Sequence, residues 1–267
     1  MIEFNNVSFS YKNQITIKSL NVRVEKGDFL AVVGSNGAGK STFLKLCNGL
    51  LTPTQGDVTV LQKNTKVEKT SSLARNISFL FQNPDRQICC NSVKEEIAFS
   101  MKKLGFDADV IAQRVAKTIE EFNFDADADP FTLSRGQRQR LCLACLIAEE
   151  SEIMILDEPT TGLDYKECME LMNRIKKLND NGTTIIMVCH DMEVVLDFAK
   201  QMMVMNNGEM IAKGPTLEIL KQNEILKKGS LLQPQIAQTS TILGTPFDNI
   251  FTINQMVQKV QELAGAK

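Results

Sequence analysis

Residues 34–41 read Gly34-Ser35-Asn36-Gly37-Ala38-Gly39-Lys40-Ser41, and Thr42 follows. Glycines at the first, fourth and sixth places let a backbone curl around a phosphate, with successive N–H groups pointing inward and the N-terminus of a following helix adding its dipole. Lys40 brings a positive charge for β- and γ-phosphates, and the Ser41 hydroxyl brings a hard oxygen for Mg²⁺. Such a cation needs a second oxygen donor. The apolar run Ile153-Met154-Ile155-Leu156 supplies one by ending in Asp157-Glu158. Asp157 is the expected metal partner, and Glu158 stands where a carboxylate can orient or deprotonate an attacking water. Each segment alone has a plainer reading, a flexible turn or a strand terminus; together they imply binding and hydrolysis of MgATP.

Alternating strands and helices must position these residues. A continuous apolar run at 29–33 precedes the glycine turn, and 41–49 reads as a helix ending on Gly49. Further buried strands are expected at 77–81, 153–156 and 185–189, separated by helical periods at 93–104, 110–122, 138–148 and 166–178. This order predicts an α/β fold with a mostly parallel sheet covered on both faces by helices. Ile2, Phe4, Val7 and Phe9, then Leu20, Val22 and Val24, alternate like strands of a small antiparallel N-terminal subdomain. Asn206-Asn207-Gly208 joins 202–205 to 209–211 and predicts a hairpin with a primed turn. After Gly214-Pro215 the alternation stops, so 1–220 forms the main domain and 221–267 an extension of moderate helical content.

The 267 residues, 43% apolar and 23% charged, suit one sizeable globular domain with an appendage. Thirty basic residues against 32 acidic ones give a net charge of -2, which provides no field for nucleic acid. The start Met1-Ile2-Glu3-Phe4-Asn5 lacks the pattern of a targeting segment, and no run is long enough to span a bilayer. A cytosolic chain is expected, reaching a membrane only through partners. Seven cysteines read as buried thiols in a reducing compartment. Cys142-x-x-Cys145 and the vicinal Cys89-Cys90 are both assigned to packing rather than to metal or redox work.

Leu133-Ser134-Arg135-Gly136-Gln137 resembles the L-S-G-G-Q signature of ATP-binding-cassette (ABC) ATPases and precedes a helix just before the carboxylate strand. With the P-loop at 34–41, the resemblance covers residues 2 to about 220 and implies a P-loop NTPase fold with a helical signature subdomain at about 83–150. It further implies that Ser134, Gly136 and Gln137 meet the γ-phosphate held by another subunit's P-loop, as befits an anion-binding helix N-terminus. Gln82 then senses Mg²⁺ and the attacking water, and His190 contacts the γ-phosphate. Thr161-Gly162-Leu163-Asp164 matches the D-loop that crosses the dimer interface. Tyr11 occupies the adenine-stacking position, though a tyrosine ending an edge strand also serves as a surface plug. Arg135 departs from the signature, standing where the family has its first glycine.

Val7-Ser8-Phe9-Ser10-Tyr11 and, above all, Phe81-Gln82-Asn83-Pro84-Asp85-Arg86-Gln87-Ile88 are similar to the ATPases of energy-coupling factor (ECF) transporters, which import vitamins or cobalt and nickel ions. That resemblance implies a second ABC ATPase subunit, a transmembrane T-component onto which the segment after Gln82 docks, and a substrate-binding membrane subunit, all met at the cytoplasmic face. Leu232-Gln233-Pro234-Gln235-Ile236-Ala237 is similar to that group's C-terminal extension, implied to help the ATPases pair. The alternatives are an ABC ATPase of another transporter type, against which Asn83-Pro84-Asp85 argues, and a soluble ABC ATPase acting on DNA or ribosomes. Against the latter stand the net charge and the lack of a coiled-coil insertion between Gln82 and Ser134.

Overall fold

The computed structural model describes residues 1–12 and 14–265. Its first part runs β1 (Ile2–Tyr11), β2 (Gln14–Val24), β3 (Phe29–Gly34), α1 (Lys40–Cys47), β4 (Gln55–Val60), β5 (Lys63–Asn64), α2 (Thr70–Leu73) and β6 (Ile77–Leu80). The helices α3 (Val93–Leu104), α4 (Ala108–Phe122) and α5 (Arg135–Glu149) follow, then β7 (Ile153–Asp157), α6 (Tyr165–Asp180), β8 (Thr184–Val188) and α7 (Met192–Phe198). A hairpin of β9 (Gln201–Asn206) and β10 (Glu209–Pro215) closes the domain. Four helices follow, the last three of them within 221–267: α8 (Thr216–Leu220), α9 (Asn223–Gly229), α10 (Gln235–Leu243) and α11 (Ile253–Gly265).

Every residue of β3, β7 and β8 is buried, which is why these strands read as unbroken apolar runs. They lie at the centre of a six-stranded sheet of order β10-β9-β3-β8-β7-β6, parallel except for the β9/β10 hairpin, whose turn has positive φ at Asn207 and Gly208. In this order the carboxyl ends of β3, β8 and β7 are neighbours. The glycine loop, His190 and Asp157-Glu158 therefore leave the sheet side by side, where ligands of such sheets bind.

The two faces are covered differently. Phe29, Ala31 and Val33 point into a core shared with α3 to α7, whereas Leu30 and Val32 point into one shared with Phe43, Leu44 and Leu46 of α1 and with the antiparallel sheet β2-β1-β4-β5. The expectation of helices on both faces is thus corrected: the antiparallel sheet supplies much of the second cover. Its inward residues are the alternating Ile2, Phe4, Leu20, Val22 and Val24, paired in register as Ile2 with Val24 and Phe4 with Val22.

Among the described residues no helix is long and apolar enough to cross a membrane. Five cysteines, Cys142 and Cys145 included, are buried. Cys89 is exposed and Cys90 half-buried, which corrects the reading of all seven as core thiols. They sit on the loop into α3 rather than inside an element.

Candidate nucleotide site

Two glycines show why the loop tolerates no side chain there. Gly34 has φ 146°, and a Cβ on it would stand 2.0 Å from the Met205 carbonyl oxygen. At Gly39, with φ 99°, a Cβ would meet the Thr16 carbonyl oxygen at 2.9 Å. Ala38, Gly39, Lys40 and Thr42 are buried, while Asn36 and Gly37 face solvent. The Ser35 hydroxyl donates to Asn206 Oδ1 at 3.2 Å, fastening the loop to the β9/β10 hairpin. Gly39 caps α1 without any side chain accepting the first N–H groups, and the first turn holds no acidic residue, so the end of α1 is left for an external anion.

The Lys40 ammonium donates to the carbonyls of Gly34 at 2.8 Å and Ser35 at 2.9 Å, holding the side chain along the loop with a third donor to spare. Burial pushes its pKa down, and the charges of Glu158 and Asp157 push back. Burial likewise raises Asp157, opposed by a hydrogen bond from Ser41 and by the charges of Lys45 and Lys40, while Glu158 adds to the rise. Asp157 is 4% exposed and its Oδ1 has no hydrogen-bond partner. A buried carboxylate oxygen left unpaired beside a serine hydroxyl is costly unless a cation completes it, and this hard-oxygen pair fits Mg²⁺.

Glu158 has φ 56°, an uncommon conformation for a side-chain-bearing residue, stabilised by its own N–H donating to the Val188 carbonyl at 3.1 Å. Its carboxylate is gripped at both oxygens. The Thr161 hydroxyl donates to Oε2 at 3.2 Å, and His190 Nε2 lies 3.0 Å from Oε1. Buried Gln139, inside α5, donates to the Pro159 carbonyl at 3.2 Å and ties the signature helix to this strand end. The Glu158–His190 pairing, Thr161 and Gln139 were not legible as partners, because nothing in the sequence announces contacts between separate elements.

The other expected site residues lie farther out. Ser134 caps α5 and shares a reciprocal box with Gln137: the Gln137 N–H donates to Ser134 Oγ at 3.2 Å, and the Ser134 N–H donates to Gln137 Oε1 at 2.8 Å. A Cβ on Gly136 would stand 2.9 Å from the Gly162 carbonyl, so the signature turn packs directly on the D-loop. The Arg135 side chain also lies along Gly162. Asp164 caps α6 in a second box with Glu167. Gln82 is exposed beyond the end of β6, two residues past Leu80 instead of directly at the strand end, and Tyr11, 45% exposed, is in edge contact with Phe9. Among the described residues no hydrogen bond joins Ser134, Gln137, Asp164, Gln82 or Tyr11 to residues 34–42. The segment after Gln82 is instead tied to α5, through an Arg138–Asp85 ion pair at 2.8 Å and the Cys142 thiol on the Pro84 carbonyl at 3.9 Å.

A cleft of about 640 Å³ opens beside the loop, walled by 34–36, 190–193 and 230–235. The Gln235 N–H donates to Glu193 Oε1 at 2.6 Å across it, so the C-terminal extension borders the site.

The ABC transporter family pattern matches residues 17–161, from β2 through the glycine loop, signature and carboxylate strand. The chain belongs to the ABC transporter family. This ABC ATPase is 34% identical to the energy-coupling factor transporter ATP-binding protein EcfA of Methanothermobacter thermautotrophicus, over 99% of its own length and 88% of that protein. It superimposes with a TM-score of 0.74 on cbiO1 from Clostridium perfringens, described as part of the ABC transporter complex cbiONQ, at 28% identity and covering 85% of this chain and 93% of that one. A relative from Caldanaerobacter subterraneus is 37% identical over 96% of this chain, which spans only 45% of that protein's length. The ECF resemblance read from Phe81 to Ile88 thus has support from named relatives.

Proposed function

We propose that this ABC ATPase is the motor subunit of an ECF-type importer, in which two ATPase subunits close over ATP and drive membrane partners that carry a vitamin or a metal ion. The N–H groups of 34–40 and the Lys40 ammonium bind the phosphates, with Ser35, Asn36, Ala38 and Thr42 lining the turn and Tyr11 against the adenine. Ser41, Asp157 and Gln82 would hold Mg²⁺, which when bound neutralises phosphate charge. Glu158 takes the proton of the attacking water, and His190, 3.0 Å from it, orients that carboxylate toward the γ-phosphate. Ser134, Gly136, Gln137 and Asp164 act on a partner subunit's nucleotide. Ser134 accepts the helix's own N–H and keeps its hydroxyl proton to donate to a phosphate.

The segment after Gln82 faces the T-component and passes closure on through its ties to α5. Ile253, Val257, Val260 and Leu263 form an exposed apolar stripe on α11, a helix with no buried residue, and a second ATPase covers it. The chain sits at the cytoplasmic face of the membrane through its partners, without nucleic acid.

The observation that carries the reading is the Glu158 carboxylate, gripped by Thr161 and His190 beside the unpaired oxygen of Asp157. Glu158→Gln should keep ATP binding, lower phosphate release by about 10²–10⁴-fold and accumulate an ATP-bound dimer. Phosphate release at the wild-type rate would remove Glu158 from this role. Recovery of ribosomes or DNA rather than a polytopic protein with the chain from native membranes would overturn the importer.

A further inference from the structure

Away from the nucleotide, the loop entering α3 gathers soft donors around a buried charge. Glu96 lies one turn into α3, 6% exposed, and its Oε2 accepts the N–H groups of Cys89 at 2.9 Å and Cys90 at 2.7 Å. The bases nearby are engaged elsewhere, Lys94 with Asp127 and Arg138 with Asp85. The two thiol sulfurs and a Glu96 carboxylate oxygen all lie within 4.8 Å of one another. Zn–S bonds of about 2.3 Å place tetrahedral sulfurs roughly 3.8 Å apart, a spacing that falls within the 4.8 Å span these donor atoms already share.

We propose that Cys89, Cys90 and Glu96 form a binding site for a thiophilic divalent cation of the zinc class. Two sulfur donors select against Mg²⁺ and Ca²⁺, and a single carboxylate suits zinc or cadmium. Three protein donors leave a fourth position for water. The cation would offset the charge of the two thiolates it creates beside Glu96 and staple the loop that follows Gln82 to α3. Thiols bind such a cation as thiolates, so an entering cation displaces their protons and binds more tightly as pH rises. The inference stands apart from the cargo of the complex and from the Mg²⁺ position at Asp157.

Titration of the reduced full-length chain with Cd²⁺ tests it, read by the thiolate-to-metal absorption in the ultraviolet and by proton release. One strong equivalent is expected, releasing about two protons, displaceable by Zn²⁺ and untouched by excess Mg²⁺. Cys89→Ser, at an exposed position that cannot disturb the core, should weaken binding by more than about tenfold, and Glu96→Gln should do so while keeping an acceptor for the loop N–H groups. Hydrogen exchange in 83–92 should slow on Cd²⁺ addition in the wild type and not in Cys89→Ser. An absent strong equivalent, or one that persists undiminished in Cys89→Ser and Cys90→Ser, overturns the site.

Discussion

The N-termini of α1 and α5 both offer anion-binding chemistry, and they are built in opposite ways. The start of α1 has no side-chain cap, is walled by core residues, and depends on Gly34 and Gly39 in backbone conformations that a Cβ would block. The start of α5 is satisfied by its own Ser134–Gln137 box and rests on the D-loop at Gly162. An uncapped end buried in a domain is open to a ligand and stabilised by it; a boxed end at the surface stays folded unaided, and in the proposed function it would meet a phosphate carried by another chain. On the proposed function, the molecule carries one half of a site fully assembled and the other half finished but without its counterpart.

Substitutions at Ser134 separate the two duties of the boxed end. Ser134→Asp keeps a good cap, so the folded chain should hold its stability within about 0.5 kcal/mol, while a carboxylate facing the γ-phosphate should cut phosphate release about 10²-fold or more. Ser134→Ala should instead lose about 1 kcal/mol in denaturant titrations. Wild-type turnover in Ser134→Asp would mean that this end never meets a phosphate.

The opposite end of α5 gives the smallest effect. Burial pushes Glu149, in the last turn, up to about 7 from 4.5. The folded chain therefore holds a proton that the unfolded chain has released, and this contribution is complete below about pH 4.5 and lost as pH rises through about 7. Glu149→Gln should flatten that decline, gaining on the order of 1–2 kcal/mol over the wild type at pH 8 relative to pH 5, as read from denaturation midpoints. An unchanged slope would show that Glu149 stays solvated.

Much of this was legible from residue order. The glycine loop, the carboxylates at the end of β7, the signature at 133–137 and four helices near 93–104, 110–122, 138–148 and 166–178 all announce themselves by local spacing. α5 begins at Arg135 instead of 138, because the Ser134 cap admits the signature itself into the helix. What stayed hidden depends on distant pairing. Residues 55–60 read as polar, yet they form β4, whose Val58 lies opposite Phe4 across more than fifty residues of chain. Helix α7 is only seven residues long and is held by its Asp191 cap rather than by periodicity. The grip of His190 and Thr161 on Glu158 follows from strand order, and the exposure of Cys89 follows from a loop whose shape its composition does not dictate.

The central claim is that a working site takes its glycine loop from one chain and its signature from another. Mixing Lys40→Ala chains with Ser134→Asp chains tests it directly, with phosphate release measured alongside dimer mass. Each variant alone should run below about 1% of wild type. In an equimolar mixture half the dimers are mixed and carry one whole site of two, so about a quarter of wild-type activity should return. A mixture that dimerises yet is no more active than its separate parts would contradict the account.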